Sequence, residues 1–193
     1  MSKEMIRIAN CSGFYGDKLS IAKEMVEGGP IDVLTGDYLA ELTMTILYNQ
    51  KMKRGEEHGY VGTFIKQFRD VAKISQDKNI KIVTNAGGLN PKSMAQEIEK
   101  VVDELNLDLK VSYIDGDNLI PEMEKLTKLG EKFSNLDKNI DLKDYSKKAI
   151  TANAYLGAWG IKEALDNGAD VVVCPRVTAV SYTHLTLPTT LVV

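Results

Sequence analysis

Short apolar segments alternate along the chain with longer segments in which apolar residues recur every three or four positions. The short segments, rich in Ile and Val, are typical of buried strands, and the longer ones are typical of amphipathic helices. Strands that alternate with helices favour a parallel sheet, because parallel strands need a long crossover between them. The pattern therefore predicts an α/β protein of three αβα layers, with a mainly parallel sheet and helices on both faces. The strands are predicted at residues 5–9, 31–34, 80–84, 109–114 and 169–174.

The predicted helices lie between these strands and carry apolar stripes at helical spacing. Asp17 is the predicted N-cap of the first helix, which a Gly-Gly-Pro run ends near residue 28. The helix over residues 39–52 is apolar over a wide arc, which predicts either burial or a subunit contact. Trp159 is expected in the core or in an interface. Further helices are predicted at 63–76, at 93–105, at 121–129 and up to residue 167, and the charged residues 130–148 are predicted to form a surface excursion.

Composition excludes some classes of function. The 193 residues carry a net charge of −3 without a basic stripe, so there is no electrostatic case for binding nucleic acid. No apolar run approaches a membrane span and the N-terminal residues lack a signal peptide's apolar core, so we expect a cytoplasmic protein without membrane contact. Cys11 and Cys174 show no metal-ligand spacing and are expected to be free thiols.

Polar residues and glycines follow each predicted strand. The first turn contains Asn10, Cys11, Ser12 and Gly13, which is more polar chemistry than a simple connection needs. The carboxyl ends of parallel strands meet at one edge of a sheet, and open α/β sheets bind their ligands at that edge. We therefore predict that the turns form the walls of one shared pocket. The later turns contribute Asp37, Asn85, Gly87, Gly88, Asp115, Asp117 and Arg176.

These residues suggest several kinds of chemistry, each with a structural alternative. Asp115 and Asp117 suit a hard cation or acid–base work, or they satisfy their own turn. Arg176 suits a carboxylate or phosphate through its planar fork, or forms a surface salt bridge. Cys11 would be an activated nucleophile if it began a helix, although no histidine follows nearby to act as a base. Asn85 is interpreted as a ligand contact, because the turn does not need its amide.

No established catalytic or cofactor motif accompanies these residues. The first turn lacks the complete glycine fingerprint of a dinucleotide site, and the chain has no P-loop and no zinc-binding His or Cys cluster. His58, in a charged loop, is expected to be solvated. Metal and cofactor are therefore left unassigned.

The chain changes character close to its end. The decamer Val180-Ser-Tyr-Thr-His-Leu-Thr-Leu-Pro-Thr189 stands where the alternation calls for a helix, and it matches a frame translation of a sequencing-library adapter. We expect residues 1–178 to form a truncated α/β domain and residues 179–193 to be non-native, with a genuine edge strand as the alternative. His184 is accordingly given no functional role.

Six ordered motifs across residues 5–178 resemble the N-terminal part of the acyclic terpene utilisation AtuA family. They are Ile-Ala-Asn-Cys-Ser-Gly-Phe-Tyr-Gly-Asp, Ile-Asp-Val-Leu-Thr-Gly-Asp-Tyr-Leu-Ala-Glu-Leu-Thr, Asn-Ala-Gly-Gly-Leu-Asn-Pro, Tyr-Ile-Asp-Gly-Asp-Asn-Leu, Ala-Asn-Ala-Tyr-Leu-Gly-Ala-Trp and Arg-Val-Thr. The resemblance implies a role in degrading acyclic terpenes such as citronellol and geraniol, on a branched acyl-CoA intermediate or an organic acid. It supplies no assigned catalytic residues.

Two hypotheses follow from the resemblance and the residues together. In the first, the protein is an enzyme, of lyase or hydratase type, whose catalytic residues are Asp115, Asp117 and Arg176. In the second, it is a non-catalytic ligand-binding or assembly subunit of a catabolic enzyme complex. Either version takes a small-molecule substrate, with a CoA thioester as one candidate, and allows a homo-oligomer. The ligand-binding residues would be Asn10, Ser12, Gly13, Asp37, Asn85, Gly87 and Gly88.

Overall fold

The computed structural model describes residues 5–135, 137–144 and 148–177, and a five-stranded parallel sheet forms its centre. The strands lie in the order β1-β2-β3-β5-β4, and every neighbouring pair is parallel. The predicted strands and the predicted sheet are thereby confirmed. The strands are β1 (Ile8–Asn10), β2 (Val33–Gly36), β3 (Lys81–Thr84), β4 (Val111–Tyr113) and β5 (Val171–Val173).

Helices cover both faces of the sheet, as predicted. Alternate strand residues point to opposite faces, so Ile82 packs into one apolar cluster and Val83 into the other. The first cluster lies under α1, α3 and α4, and the second lies under α6. The described helices are α1 (Ile21–Gly28), α2 (Glu41–Arg54), α3 (Gly62–Asp77), α4 (Pro91–Glu104), α5 (Met123–Lys128) and α6 (Trp159–Asp166), with short 3-10 turns at Ile120–Glu122 and Leu142–Asp144.

The strand order explains why the helices divide between the faces. From β1 to β4 the chain moves across the sheet in one direction, and it then steps back to insert β5 between β3 and β4. Parallel crossovers are almost always right-handed, so the reversal sends the next helix to the opposite face. The connection that leaves β3 through α4 and the connection that leaves β4 through α6 therefore run on opposite faces of the sheet, and β5 lies between the two strands that they leave. Such a divergence is the topological switch point, where open α/β sheets bind ligands.

Helix starts were the least accurate part of the prediction. The expected cap at Asp17 is wrong, because α1 begins at Ile21 and the Asp17 carboxylate accepts a hydrogen bond from the Gly13 amide at 2.8 Å. In contrast, α4 begins as its sequence dictates: Asn90 accepts from the Ser93 amide at 3.1 Å, and Pro91 occupies the first turn. This start holds the β3–α4 connection at the carboxyl edge of the sheet.

Two expectations about exposed surface can be compared with the structure. Trp159 is 82% exposed at the start of α6, so it does not lie in the core of this chain. On α2, Met44 and Leu47 are buried while Leu42 is 72% exposed, which leaves part of the wide apolar arc on the surface.

Among the described residues, no helix has the length and apolar character that crossing a bilayer requires. The predicted non-native segment 179–193 lies outside the described residues.

Candidate functional site at the carboxyl edge of the sheet

Backbone hydrogen bonds join the turns that leave the strands. The Asp37 amide donates to Ser12 O at 2.9 Å, and the Asn85 amide donates to Gly36 O at 3.3 Å. The turns after β3 and β5 are joined in the same way, because the Gly87 amide donates to the carbonyl of Cys174 at 3.1 Å. The sheet therefore brings the polar turns together at one edge, in contact with one another.

Asn85 holds the turn after β2 in place. Its Oδ1 accepts from the Tyr38 amide at 2.8 Å, and its Nδ2 donates to Asp37 Oδ1 at 2.6 Å. Only 4% of Asn85 is exposed. The Asn85 side chain therefore positions the neighbouring turn after β2. It also positions the carboxylate of Asp37, which is half-buried.

The first turn is closed largely by its own polar groups. Ser12 is buried, and its hydroxyl donates to Phe14 O at 2.9 Å. Asn10 is exposed and donates from Nδ2 to Ser12 O at 2.9 Å. With the bond between Gly13 and Asp17, these contacts account for most of the polar chemistry that marked this turn in the sequence.

Cys11 does not have the environment of an activated nucleophile. It lies well before the start of α1, and it is buried in the core with its Sγ 3.7 Å from the hydroxyl of Tyr38. Burial raises the pKa of the Cys11 thiol, which keeps it protonated. Tyr38 in turn donates to Gln67 Oε1 at 2.7 Å, and burial raises its own pKa as well. The nucleophile hypothesis is therefore wrong for the structure described.

Protein packing explains the two glycines after β3. A Cβ at Gly87 would lie 2.6 Å from the carbonyl oxygen of Cys174. Gly88 has φ +55°, and a Cβ there would lie 2.4 Å from Leu47 Cδ1. Both residues are buried, so their glycine character follows from close contacts within the chain. Their predicted contact with a ligand stays a prediction.

The two aspartates after β4 occupy different environments. Asp115 is exposed, whereas Asp117 is buried and accepts at Oδ2 from Asn153 Nδ2 at 2.7 Å and from the Arg176 amide at 3.3 Å. Burial raises the pKa of Asp117, although these hydrogen bonds oppose the rise and the charge of Asp115 adds slightly to it. Asp117 thus satisfies donors from two other segments, while Asp115 stays in water. Among the described residues there is no group of three or more His, Cys, Asp or Glu side chains that could hold a metal ion.

Arg176 connects three segments of the chain. Its Nη1 donates to Leu39 O at 2.9 Å and its Nη2 donates to Glu41 Oε1 at 2.9 Å. Nη2 also donates to the hydroxyl of Tyr155, and the guanidinium carbon lies 4.6 Å from the centroid of the Tyr155 ring. Only 10% of the Arg176 side chain is exposed, against 85% of the Glu41 side chain, so the ion pair joins a buried cation to a carboxylate that lies in water.

The prediction missed three residues of this candidate site, namely Glu41, Tyr155 and Asn153. Glu41 is the first residue of α2, and its side chain is 85% exposed. Tyr155 and Asn153 lie in the irregular segment before α6. All three occur within the motifs that carry the family resemblance, which was the available signal. Their side chains also contact Asp117 or Arg176 directly, which no pattern along the chain reveals.

A separate surface cleft contains none of the candidate residues. It has a volume of about 550 Å³ and lies between α5 and the charged excursion that follows. Its walls carry Glu124, Lys128, Glu131, Lys132, Asp141 and Lys143 beside a few apolar residues. The candidate chemistry is therefore concentrated at the switch point rather than in this cleft.

The fold and the site together define an α/β protein with a polar site at the switch point of a parallel sheet. The family model described as "Acyclic terpene utilisation family protein AtuA" matches residues 6–184. The chain belongs to this family, and the resemblance predicted from the motifs is confirmed. The match ends at residue 184, within the segment predicted to be non-native. Neither the curated proteins nor the solved structures that were compared gave a match.

Proposed function

We propose that the carboxyl edge of the sheet binds and transforms a branched organic acid or its acyl-CoA thioester in the catabolism of citronellol or geraniol. Membership of the family supports the broader role in acyclic terpene utilisation. The CoA thioester, the cytoplasmic location and the homo-oligomer stay predictions. The proposal concerns the chemistry that the residues at the switch point can perform.

The observation that carries the proposal is the contact between the Asp117 turn and the Arg176 turn. The Asp117 carboxyl group, whose pKa is raised, accepts a hydrogen bond from the backbone amide of Arg176, so the two turns lie against each other. The Arg176 guanidinium is buried and leads from the same turn to Leu39 O and Glu41. A guanidinium binds carboxylates and phosphates, and it stabilises negative charge that develops on a substrate. A carboxyl group that retains its proton to higher pH is suited to donating that proton.

This pair fits a lyase or hydratase step better than a reaction that needs a nucleophile. Removal of water beside an acyl group takes a proton from the carbon next to the acyl carbon and gives a proton to the departing hydroxyl, and addition of water is the reverse. Asp117 would protonate the departing hydroxyl, and Asp115, which is exposed on the same turn, would accept the proton from carbon. Arg176 would hold the anionic group and stabilise the negative charge that develops there. Cys11 has no part in this scheme because its thiol is buried and protonated.

The proposal is tested by screening branched acyl-CoA thioesters and the corresponding free acids for turnover and for thermal stabilisation. Asp117→Asn keeps the shape of the side chain and removes the proton, so we expect turnover to fall about 100-fold or more while the ligand still stabilises the protein. Asp103→Asn, an exposed position on α4, is the matched control and should behave as the unchanged chain. Full turnover by a correctly folded Asp117→Asn variant would refute the proposed role of Asp117.

A second candidate function is a non-catalytic binding or assembly subunit. The exposed apolar side chains of Leu42 and Trp159 favour it, since large apolar residues on a surface often belong to interfaces. On this account, sedimentation velocity should show an oligomer or a complex that Trp159→Ala weakens. A monomer at all concentrations, together with turnover that depends on Asp117, would favour the enzyme instead.

A further inference from the structure

Glu41, Arg176 and Tyr155 form a closed triangle of hydrogen bonds at the switch point. Glu41 Oε1 accepts from Arg176 Nη2 at 2.9 Å and lies 3.2 Å from the hydroxyl of Tyr155. Because Arg176 Nη2 also donates to Tyr155, the phenolic hydrogen is available for Glu41. One carboxylate oxygen is therefore held by two donors, a guanidinium and a phenol. The chain itself shows how a carboxylate fits this position.

The donors and the carboxylate differ in how firmly they are held. The Arg176 side chain is 10% exposed, and Nη1 is anchored on Leu39 O. The Glu41 side chain is 85% exposed and extends from the first residue of α2. An ion pair with one partner in water contributes little to stability, so Glu41 can rotate away at small cost. Arg176 remains anchored on Leu39 O when it does so, and Tyr155, which is 52% exposed, keeps the contact of its ring with the guanidinium.

We propose that the carboxylate of a ligand binds between Arg176 and Tyr155 by displacing Glu41. This inference rests on the proposed function, because it concerns the same Arg176 site and specifies the chemical group that it binds. The carboxylate belongs either to a free organic acid or to the acyl chain of a CoA thioester. Glu41 is then an internal competitor that keeps the buried guanidinium paired when no ligand is bound.

The carboxylate that the site already holds favours a carboxylate ligand over a phosphate. Nη2 and the Tyr155 hydroxyl converge on Glu41 Oε1, while Nη1 donates to Leu39 O. A ligand carboxylate that replaces Glu41 can keep the same two hydrogen bonds, with its other oxygen facing solvent. A phosphate group has three terminal oxygens, so these two donors leave more of its acceptors without a protein partner.

The test is calorimetric titration of the 193-residue chain and its variants with isovalerate. Isovaleramide has the same shape as isovalerate without its charge, and inorganic phosphate is the competing kind of anion. Glutaryl-CoA carries a carboxylate on its acyl chain and butyryl-CoA does not, so comparing the two tests for a carboxylate on a thioester. The variants are Glu41→Gln, Tyr155→Phe and Arg176→Lys. Glu124→Gln, at a glutamate of similar exposure that pairs with Lys128, is the matched control. Circular dichroism and thermal unfolding confirm that each variant is folded.

We expect Glu41→Gln to bind isovalerate about two- to sixfold more tightly, which corresponds to removing a competitor held as weakly as an exposed ion pair. Tyr155→Phe should weaken binding about tenfold, since it removes a hydrogen bond to a charged group. Isovaleramide and phosphate should bind more weakly than isovalerate, and the Glu124→Gln control should match the unchanged chain. Tighter binding of glutaryl-CoA than of butyryl-CoA would assign the carboxylate to a thioester substrate, and equal binding would assign it to a free acid.

Isovalerate binding that depends on Arg176 but is unchanged or weakened in Glu41→Gln would overturn the displacement while leaving the proposed function intact. Tighter binding of phosphate than of isovalerate would overturn the carboxylate assignment. If no carboxylate bound any folded variant, the inference would fail, and turnover of acyl-CoA thioesters would then decide the proposed function separately.

Discussion

Asn85→Ala should destabilise the whole carboxyl edge, because one side chain connects the turns after β2 and β3. The substitution removes the 2.6 Å bond to Asp37 and the 2.8 Å bond to the Tyr38 amide. A hydrogen bond to a charged group contributes about 1.5–3 kcal/mol, and a buried amide left without a partner costs about 1–3 kcal/mol. Asp37 is half-buried and can recover part of its loss from water. We therefore expect the free energy of unfolding to fall by about 2–4 kcal/mol.

The measurement is urea unfolding followed by circular dichroism, with the midpoint and the slope fitted separately. A lower midpoint at an unchanged slope reports lost stability rather than a change in the unfolded state. Asn10→Ala is the matched control in the neighbouring turn, since Asn10 is exposed, donates to Ser12 O at 2.9 Å and accepts only a long bond of 3.4 Å from the Thr35 hydroxyl. It should cost about 0.5–1 kcal/mol. Equal effects of the two substitutions would refute the view that Asn85 joins the turns.

An isosteric substitution at the same position tests whether the stability loss depends on charge, because such a loss changes with pH in a known direction. Asn85→Asp replaces the donor to Asp37 by a carboxyl oxygen, so two carboxylates would face each other at neutral pH. The introduced carboxyl group should have a raised pKa in the folded state. The added loss of stability should then be absent below about pH 4 and should grow as the pH rises through the folded pKa. A loss that is independent of pH would point to packing rather than charge.

Three further predictions concern the core of the site. Gly88→Ala should lower the free energy of unfolding, measured in urea, by about 3 kcal/mol or more, because of strain at φ +55° and the clash with Leu47. Gly29→Ala, which has open space around it, should lower it by less than about 1 kcal/mol. Because burial raises the pKa of Asp117, its carboxyl group favours folding most below its unfolded pKa, and this contribution is lost as the pH rises through the folded pKa. The unfolding free energy of Asp117→Asn relative to the unchanged chain should therefore rise as the pH increases from about 4, the ordinary pKa of aspartate, through the folded pKa, and a flat difference would contradict this account. Cys11 and Cys174 should react with a disulfide reagent only on the timescale of unfolding, because burial raises the pKa of both thiols, that of Cys174 to about 12. Rapid labelling of either thiol in the folded protein would contradict their burial.

Much of the site could be located from the sequence, because polar residues immediately after apolar strands must emerge at one edge of a parallel sheet. The roles of individual residues were less accessible. Asn85 was interpreted as a ligand contact on the ground that its own turn did not need it. In the structure the adjacent turn uses both ends of its amide. Cys11 looked reactive because a helix was expected to begin beside it, but α1 begins later and the thiol points into the core.

The sequence by itself determined the α/β alternation, the parallel sheet, the polar turns and the family, since these depend on hydrophobic periodicity and on motifs that are local in the chain. Tertiary structure alone decided that β5 inserts between β3 and β4, and so which turns become neighbours. It placed Arg176 against Glu41, 135 residues away in the chain, and it buried Asp117 while leaving Asp115 in water. Hydrophobic patterning determines which face of a strand is buried. The order of the strands depends on crossover handedness and on packing between distant segments, which no local pattern contains.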